Sequence, residues 1–169
     1  MNRLVFLLAF VFACSCAGVP KASNPALAFR YRDLDGTTKS IGQHRGKFTL
    51  IQVFATWAQP ALLEVPLLQS LEAQYGTQNL AIVQIALDPT AESVRVYAQT
   101  FGVENWVGMA IDSELFMSSN GPLGAIETIP SSFLLDPRGR VVKKQVGLWD
   151  QENLKSTLSE LLAADRSTH

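Results

Sequence analysis

The spacing of apolar positions changes period several times along the chain, and each change marks a predicted element. Ala28-Phe29-Arg30-Tyr31-Arg32 alternates, Asp35-Gly36 is a hairpin turn signal, and Thr37 to Ile41 returns as a second short strand. Phe48 to Ala55 is almost continuously apolar, with Gln52 as its main polar interruption, which predicts a central strand buried on both faces. Leu63, Leu67, Leu68 and Leu71 then recur at helical spacing across residues 60–75. Gly76 is the stop of that helix, and Pro66 should kink it because proline removes a backbone donor. Leu80 to Leu87 predicts the next buried strand, and Asp88-Pro89-Thr90 opens a helix that reaches residues 100–102. Residues 106–111 predict a strand and 112–119 a short helix ended by Asn120-Gly121-Pro122. Residues 132–135 and 140–146 predict two strands joined by Asp136-Pro137-Arg138-Gly139. Asp150 then caps a last amphipathic helix through Leu154, Leu158, Leu161 and Leu162. Strands that alternate with helices and close on a hairpin and a helix predict an α/β fold. It should be a mixed central sheet with helices on both faces and an N-terminal hairpin.

Composition changes this picture little. A chain of 169 residues, 47% hydrophobic and of net charge −1, suits one globular domain with a real core plus a terminal extension. The charge balance supplies no broad basic field, so no nucleic-acid partner is expected. There is no internal repeat or low-complexity block, and composition shifts only at the start.

That start is MNRLVFLLAFVFACSCAGVPKASNP, in which Arg3 precedes an apolar run and small residues follow, the layout of a secretory signal. The run is too short to span a bilayer as a mature helix. A buried N-terminal helix fits worse, since Cys, Ser, Gly and Pro crowd the end where a helix should continue. Both cysteines of the chain, Cys14 and Cys16, lie here, and each is a lipidation candidate. Phe12-Ala13-Cys14 and Cys14-Ser15-Cys16 resemble a lipobox, although neither has leucine three residues before the cysteine. Simple cleavage after Ala17 is the other reading. Residues 1–25 are therefore expected to be a signal peptide or lipoprotein signal with a short linker, 26–165 the folded domain and 166–169 a tail. The protein is expected to be exported, periplasmic or lipid-anchored, touching a membrane only through that lipid. No reading leaves a pair of mature thiols in the domain.

FATWAQPALLEVP, Phe54 to Pro66, forms a Trp-Ala-Gln-Pro-Ala corner between the central strand and its helix. With the flanking stretches DLDGTTKSIGQHRGKFTLIQVFATWAQPALLEVPLLQSLEAQYG and TIPSSFLLDPRGRVVKKQVG, and the order of elements, this chain resembles the TlpA/ResA-like branch of the thioredoxin superfamily over residues 26–162. The Asp-Gly hairpin at the front and the extra strand-helix segment before the final hairpin fit that branch. The resemblance implies a thioredoxin-like fold, thiol-disulfide oxidoreductase activity, a Trp-Cys-x-x-Cys site and a cis proline facing it. Trp57 matches the tryptophan, and Gln59 and Pro60 fill the variable pair. Glu64 matches an acidic residue of the first helix, and Pro130 in Thr128-Ile129-Pro130 matches the cis proline. Ala58 and Ala61 stand where the resemblance implies cysteines.

A helix N-terminus lowers a cysteine pKa into roughly the 3.5 to 7.5 range, creating the thiolate that attacks a disulfide. Alanine has no such atom, and without both thiols the exchange reaction is lost. The fold should survive, because a loop closed by so few residues contributes only about 2 kcal/mol. Trp57 reads either as a packing aromatic or as an exposed platform for a partner peptide. Glu64 is expected in the first turn of a helix, where a carboxylate contributes about 0.3–1 kcal/mol through the dipole. His44 and His169 are expected in solvated loop and tail. Met109 and Met117 are the only soft candidate ligands in the domain, so neither metal nor other cofactor is expected.

Two functions remain open from the residues. In one, a degenerate, redox-inactive site uses a groove of Trp57, Gln59, Pro60, Glu64, Ile129 and Pro130 to bind an extended peptide or protein partner. In the other, the chain is a TlpA-like thiol-disulfide oxidoreductase in which alanines were substituted for the two cysteines. Partner identity and oligomeric state are not encoded legibly.

Overall fold

A computed structural model describes residues 24–166. The leader-like segment with Cys14 and Cys16, and His169, lie outside these residues. A seven-stranded mixed sheet in the order β2-β1-β5-β4-β3-β6-β7 forms the frame. The strands are β1 (Arg30–Asp33), β2 (Thr38–Ser40), β3 (Phe48–Phe54), β4 (Leu80–Ala86), β5 (Val107–Ala110), β6 (Ser131–Leu135) and β7 (Val141–Val146). β3, β4 and β5 run parallel, while β6 and β7 on one side and the β1-β2 hairpin on the other are antiparallel additions. The hairpin docks on β5 at Gly108, where any Cβ would meet the Tyr31 ring at 2.3 Å, so this strand position requires glycine.

Every residue of β3 is buried, as its unbroken apolar run predicts, and its side chains alternate between two cores. Ile51 and Val53 join Val83, Ile85 and Phe133 under α1 (Pro25–Ala28) and α5 (Ser113–Met117). Leu50 and Phe54 face the other way. There α3 (Val65–Tyr75) and α6 (Gln151–Arg166) cover one cluster and α4 (Ala91–Phe101) a second. Gln52 of β3 and Gln84 of β4 lie in register on that same face, between the two clusters.

The structure departs from the sequence expectations at element ends and at one helix. The predicted single helix is two: α2 (Gln59–Leu63) and α3, which meet at Glu64. Pro66 has no N–H to give Leu62, so the ladder breaks ahead of it and the proline takes the second position of α3. No intrahelical donor is needed there. Asp88 does not begin α4, whose N-cap is Thr90. α1 and a 3-10 turn over Ile41–His44 carry too few residues to register as periodic patterns.

Candidate functional site

The corner between β3 and α2 is a chain of tight turns. Ala58 N–H donates to Ala55 at 3.0 Å, and Ala61 N–H donates to Ala58 at 3.0 Å. Ala58 is the N-cap of α2 and is nearly buried, Ala61 is fully buried, and neither side chain offers a polar atom. Trp57, between the buried Ala55 and Ala58, points outward with 70% of its surface exposed. Trp57 is therefore not a packed core aromatic. Gln59 and Pro60 are exposed beside it.

On the adjacent strand the register pairs Val53 with Ser131, so Ile129-Pro130 lies level with the end of β3, where the corner begins. Their peptide bond is cis. Gly147 N–H donates to the Pro130 carbonyl at 2.9 Å, and the Ser131 hydroxyl donates to the Thr128 carbonyl at 2.6 Å, fixing the loop ahead of β6. Trp57, Gln59, Pro60, Ile129 and Pro130 are thus brought to one end of the sheet.

Glu64 corrects the sequence expectation. Its carboxyl is not engaged with a helix N-terminus: Glu64 is the N-cap of α3 without a side-chain cap bond, and its side chain is turned inward, only 3% exposed, under the corner. The break between α2 and α3 is what frees it from the helix surface. Oε1 accepts the Trp149 backbone N–H at 2.5 Å, and Oε2 accepts Gln52 Nε2 at 2.5 Å. Burial raises its pKa above the usual glutamate value, and the two hydrogen bonds only partly oppose this. Gln52 Oε1 in turn accepts Gln84 Nε2 at 2.6 Å, and Gln84 is bonded to the Tyr97 hydroxyl of α4. Burial pushes the Tyr97 hydroxyl up to about 12. Gln84 and Tyr97 escaped the sequence reading. The available signal was a lone glutamine at the fifth position of each buried strand.

A second buried carboxylate was also missed. Asp88, at the end of β4, accepts both the Thr56 N–H at 3.0 Å and the Thr56 hydroxyl at 2.5 Å, tying down the residue before Trp57. Between the corner and α4 lies an open cleft of about 490 Å³ lined by Thr56, Leu62, Ser93, Val96, Tyr97 and Phe101. His44 is distant, at the other end of β3; burial lowers its pKa, with Lys47 and Lys39 adding to the effect. Met109 and Met117 pack into different clusters, so they do not form a ligand pair. No group of three or more acidic, histidine or cysteine side chains is placed to hold a metal among the described residues.

The comparisons with known proteins agree with this geometry. No protein-family model matches the chain. A protein of Bacillus cereus, "Thiol-disulfide oxidoreductase ResA", is 26% identical over 174 aligned residues, covering 95% of this chain and 97% of the relative. A thioredoxin-family thiol:disulfide interchange protein from Chlorobium tepidum TLS superposes with TM-score 0.69 at 27% identity, over 85% of this chain and 99% of that one. These likenesses support a TlpA/ResA-like member of the thioredoxin superfamily. The fold extends to an exposed lipoprotein thioredoxin of Streptococcus pneumoniae, at TM-score 0.64 and 17% identity, over 79% of this chain and 98% of that one. Within this ResA-like frame, the corner, the exposed tryptophan and the cis proline occur together with alanine at positions 58 and 61.

Proposed function

We propose that this ResA-like protein is exported and docks an extended peptide or protein segment at the Trp57 corner, without carrying out thiol-disulfide exchange. One observation carries the reading: the corner presents an exposed Trp57 at the same end of the sheet as the cis Ile129-Pro130 bond, with methyl groups alone at Ala58 and Ala61. Exchange proceeds by thiolate attack on a disulfide sulfur, with a second thiol to resolve the mixed disulfide. The described residues contain no cysteine at all. Holding a partner chain against the corner is a separate task that uses surface shape, an aromatic platform and backbone groups, and none of these depends on sulfur. Export rests on the leader-like pattern of residues 1–25, which also places both cysteines ahead of the domain.

The test is binding of an extended polypeptide, such as a reduced and carboxymethylated protein, to the full chain, followed by isothermal titration calorimetry for both the unsubstituted chain and Trp57→Ala, with tryptophan fluorescence of the unsubstituted chain reporting whether the ligand reaches Trp57. Trp106 is partly buried and Trp149 buried, so Trp57 is the tryptophan that a surface ligand reaches. Saturable binding weakened about tenfold or more by Trp57→Ala, roughly 1.4 kcal/mol, is the expected result. Absence of saturable binding, or binding indifferent to Trp57→Ala, would remove the peptide-docking reading.

A further inference from the structure

The exposed charges of the domain differ between its two ends. β3, β4 and β5 run parallel and finish on the side of the Trp57 corner, and the segments there carry exposed acids: Asp112 and Glu114 after β5, and Glu127 just ahead of the cis Ile129-Pro130 bond. At the opposite end, where β3 starts, the Gly46 N–H donates to the Pro137 carbonyl at 3.0 Å. That bond draws residues 45–47 against the turn between β6 and β7, so the exposed Arg45 and Lys47 gather with the exposed Arg138 and Arg140. Asp136 is buried and occupied within its own turn, accepting the Arg138 N–H, the Arg140 N–H and the Arg140 guanidinium. Arg45, Lys47 and Arg138 enter no ion pair among the described residues. Burial holds His44 below its ordinary pKa, so at neutral pH the cationic character of this end comes from lysine and arginine.

The chain enters the domain at this same basic end. Asn24 Nδ2 donates to the Arg138 carbonyl at 3.5 Å, and the Leu27 side chain packs so closely on Gly139 that a Cβ there would collide with it. Whatever precedes Asn24 therefore joins the domain among the cations. Cys16 stands eight residues before Asn24, a length that reaches at most about 29 Å when fully extended. A lipid on that cysteine would keep the basic end within reach of the bilayer, with the Trp57 corner at the far end of the sheet.

We propose, on the reading that the chain is exported, that Arg45, Lys47, Arg138 and Arg140 form a docking surface for an anionic phospholipid bilayer, which holds the Trp57 corner outward. Membrane contact then involves the folded domain as well as any attached lipid. Between the turn and α6 lies an open groove of about 900 Å³, in which Phe48, Val142 and Leu161 supply apolar walls beside Arg138 and Arg140. Cations set next to apolar walls suit a phospholipid headgroup and the first carbons below it. The carboxylates lining the groove are Asp136, already occupied, and Asp165, which accepts Asn79 Nδ2 at 3.1 Å. A negative bilayer attracts this end and repels the acids at the corner end, so charge alone sets the orientation. Each cation at such a surface strengthens binding about fivefold, and salt screens the effect.

The experiment is co-sedimentation of the full chain with vesicles of phosphatidylcholine alone or mixed equally with phosphatidylglycerol, at low and high ionic strength. Residues 1–23 are common to every sample, so the substitutions isolate the domain. Arg45→Gln/Lys47→Gln/Arg138→Gln should weaken binding to the anionic vesicles about fivefold for each cation removed and leave binding to neutral vesicles unchanged. Arg32→Gln/Arg95→Gln/Lys155→Gln, which alters net charge equally at other sites, should have little effect. On the anionic vesicle Trp57 should stay open to quenching by acrylamide. Equal losses in the two triple variants, a loss on neutral vesicles as large as on anionic ones, or a Trp57 shielded by the bilayer would each overturn the proposal. So would binding to soluble polyglutamate in place of vesicles, which would assign the surface to an acidic polypeptide. Should the first triple variant not fold, Lys47→Gln alone decides it, with the same fivefold loss expected and no loss contradicting it. Export is measured separately by intact mass from a bacterial host: an unprocessed chain would overturn the export reading, whereas the vesicle outcomes bear on the basic end alone.

Discussion

Glu64 is held by two neutral donors and no cation, so its burial fixes the sign of a pH effect. Its folded pKa is raised, so between the unfolded value and the folded one the folded chain holds a proton that the unfolded chain has lost. Stability from this group therefore falls as pH rises through that window, and the full penalty is present above it. Gln52→Leu removes a hydrogen bond that lowers the pKa, so the titration should move further up. The substitution should cost about 1–3 kcal/mol at pH 7, where a buried carboxylate is left with one partner. Urea unfolding should show a smaller loss at pH 4 than at pH 7; an equal loss at both would mean that Gln52 acts by packing alone. At this scale the sequence was informative where chemistry follows from identity, as at Trp57, Ala58, Ala61 and Pro130. It was silent on side-chain direction. A glutamate near a helix start reads as a dipole-stabilising carboxylate, and its inward turn at the break between α2 and α3 is visible only in the structure.

Between elements, the β3-to-α3 connection carries the site. Periodicity gave the helix and Pro66 gave its irregularity, but the irregularity is a break at Glu64, which seats the proline at the start of α3. A proline in a helix interior costs about 3 kcal/mol, so replacing an interior one should stabilise strongly. At the second position of a helix, Pro66→Ala should instead cost about 0.4–1 kcal/mol, because the unfolded chain gains freedom and no native hydrogen bond is recovered. Denaturant midpoints measure this, and a gain of several kcal/mol would show that α2 and α3 are one strained helix. The strands were legible to within a residue or two, since their buried apolar runs have few alternative readings. The in-register pairing of Gln52 with Gln84 was not, because strand neighbours are set by topology rather than by local sequence.

For the whole molecule, the α/β architecture with its front hairpin follows from the order of elements, and the central sheet with helices on both faces bears out that reading. The Trp57 corner lies at one end of the sheet, where the central strand β3 passes into α2. At that corner Ala58 and Ala61 stand with a cis Ile129-Pro130 bond, a Thr56 anchored by Asp88, and an exposed Trp57. The central claim is that this chain holds partners without exchanging disulfides. The most direct measurement is dithiothreitol-driven reduction of insulin by the purified full chain, run beside Ala58→Cys/Ala61→Cys. The unsubstituted chain should show no rate above the uncatalysed reaction, and the double substitution should form a reversible disulfide and turn over. Turnover by the unsubstituted chain that survives thiol alkylation would contradict the account.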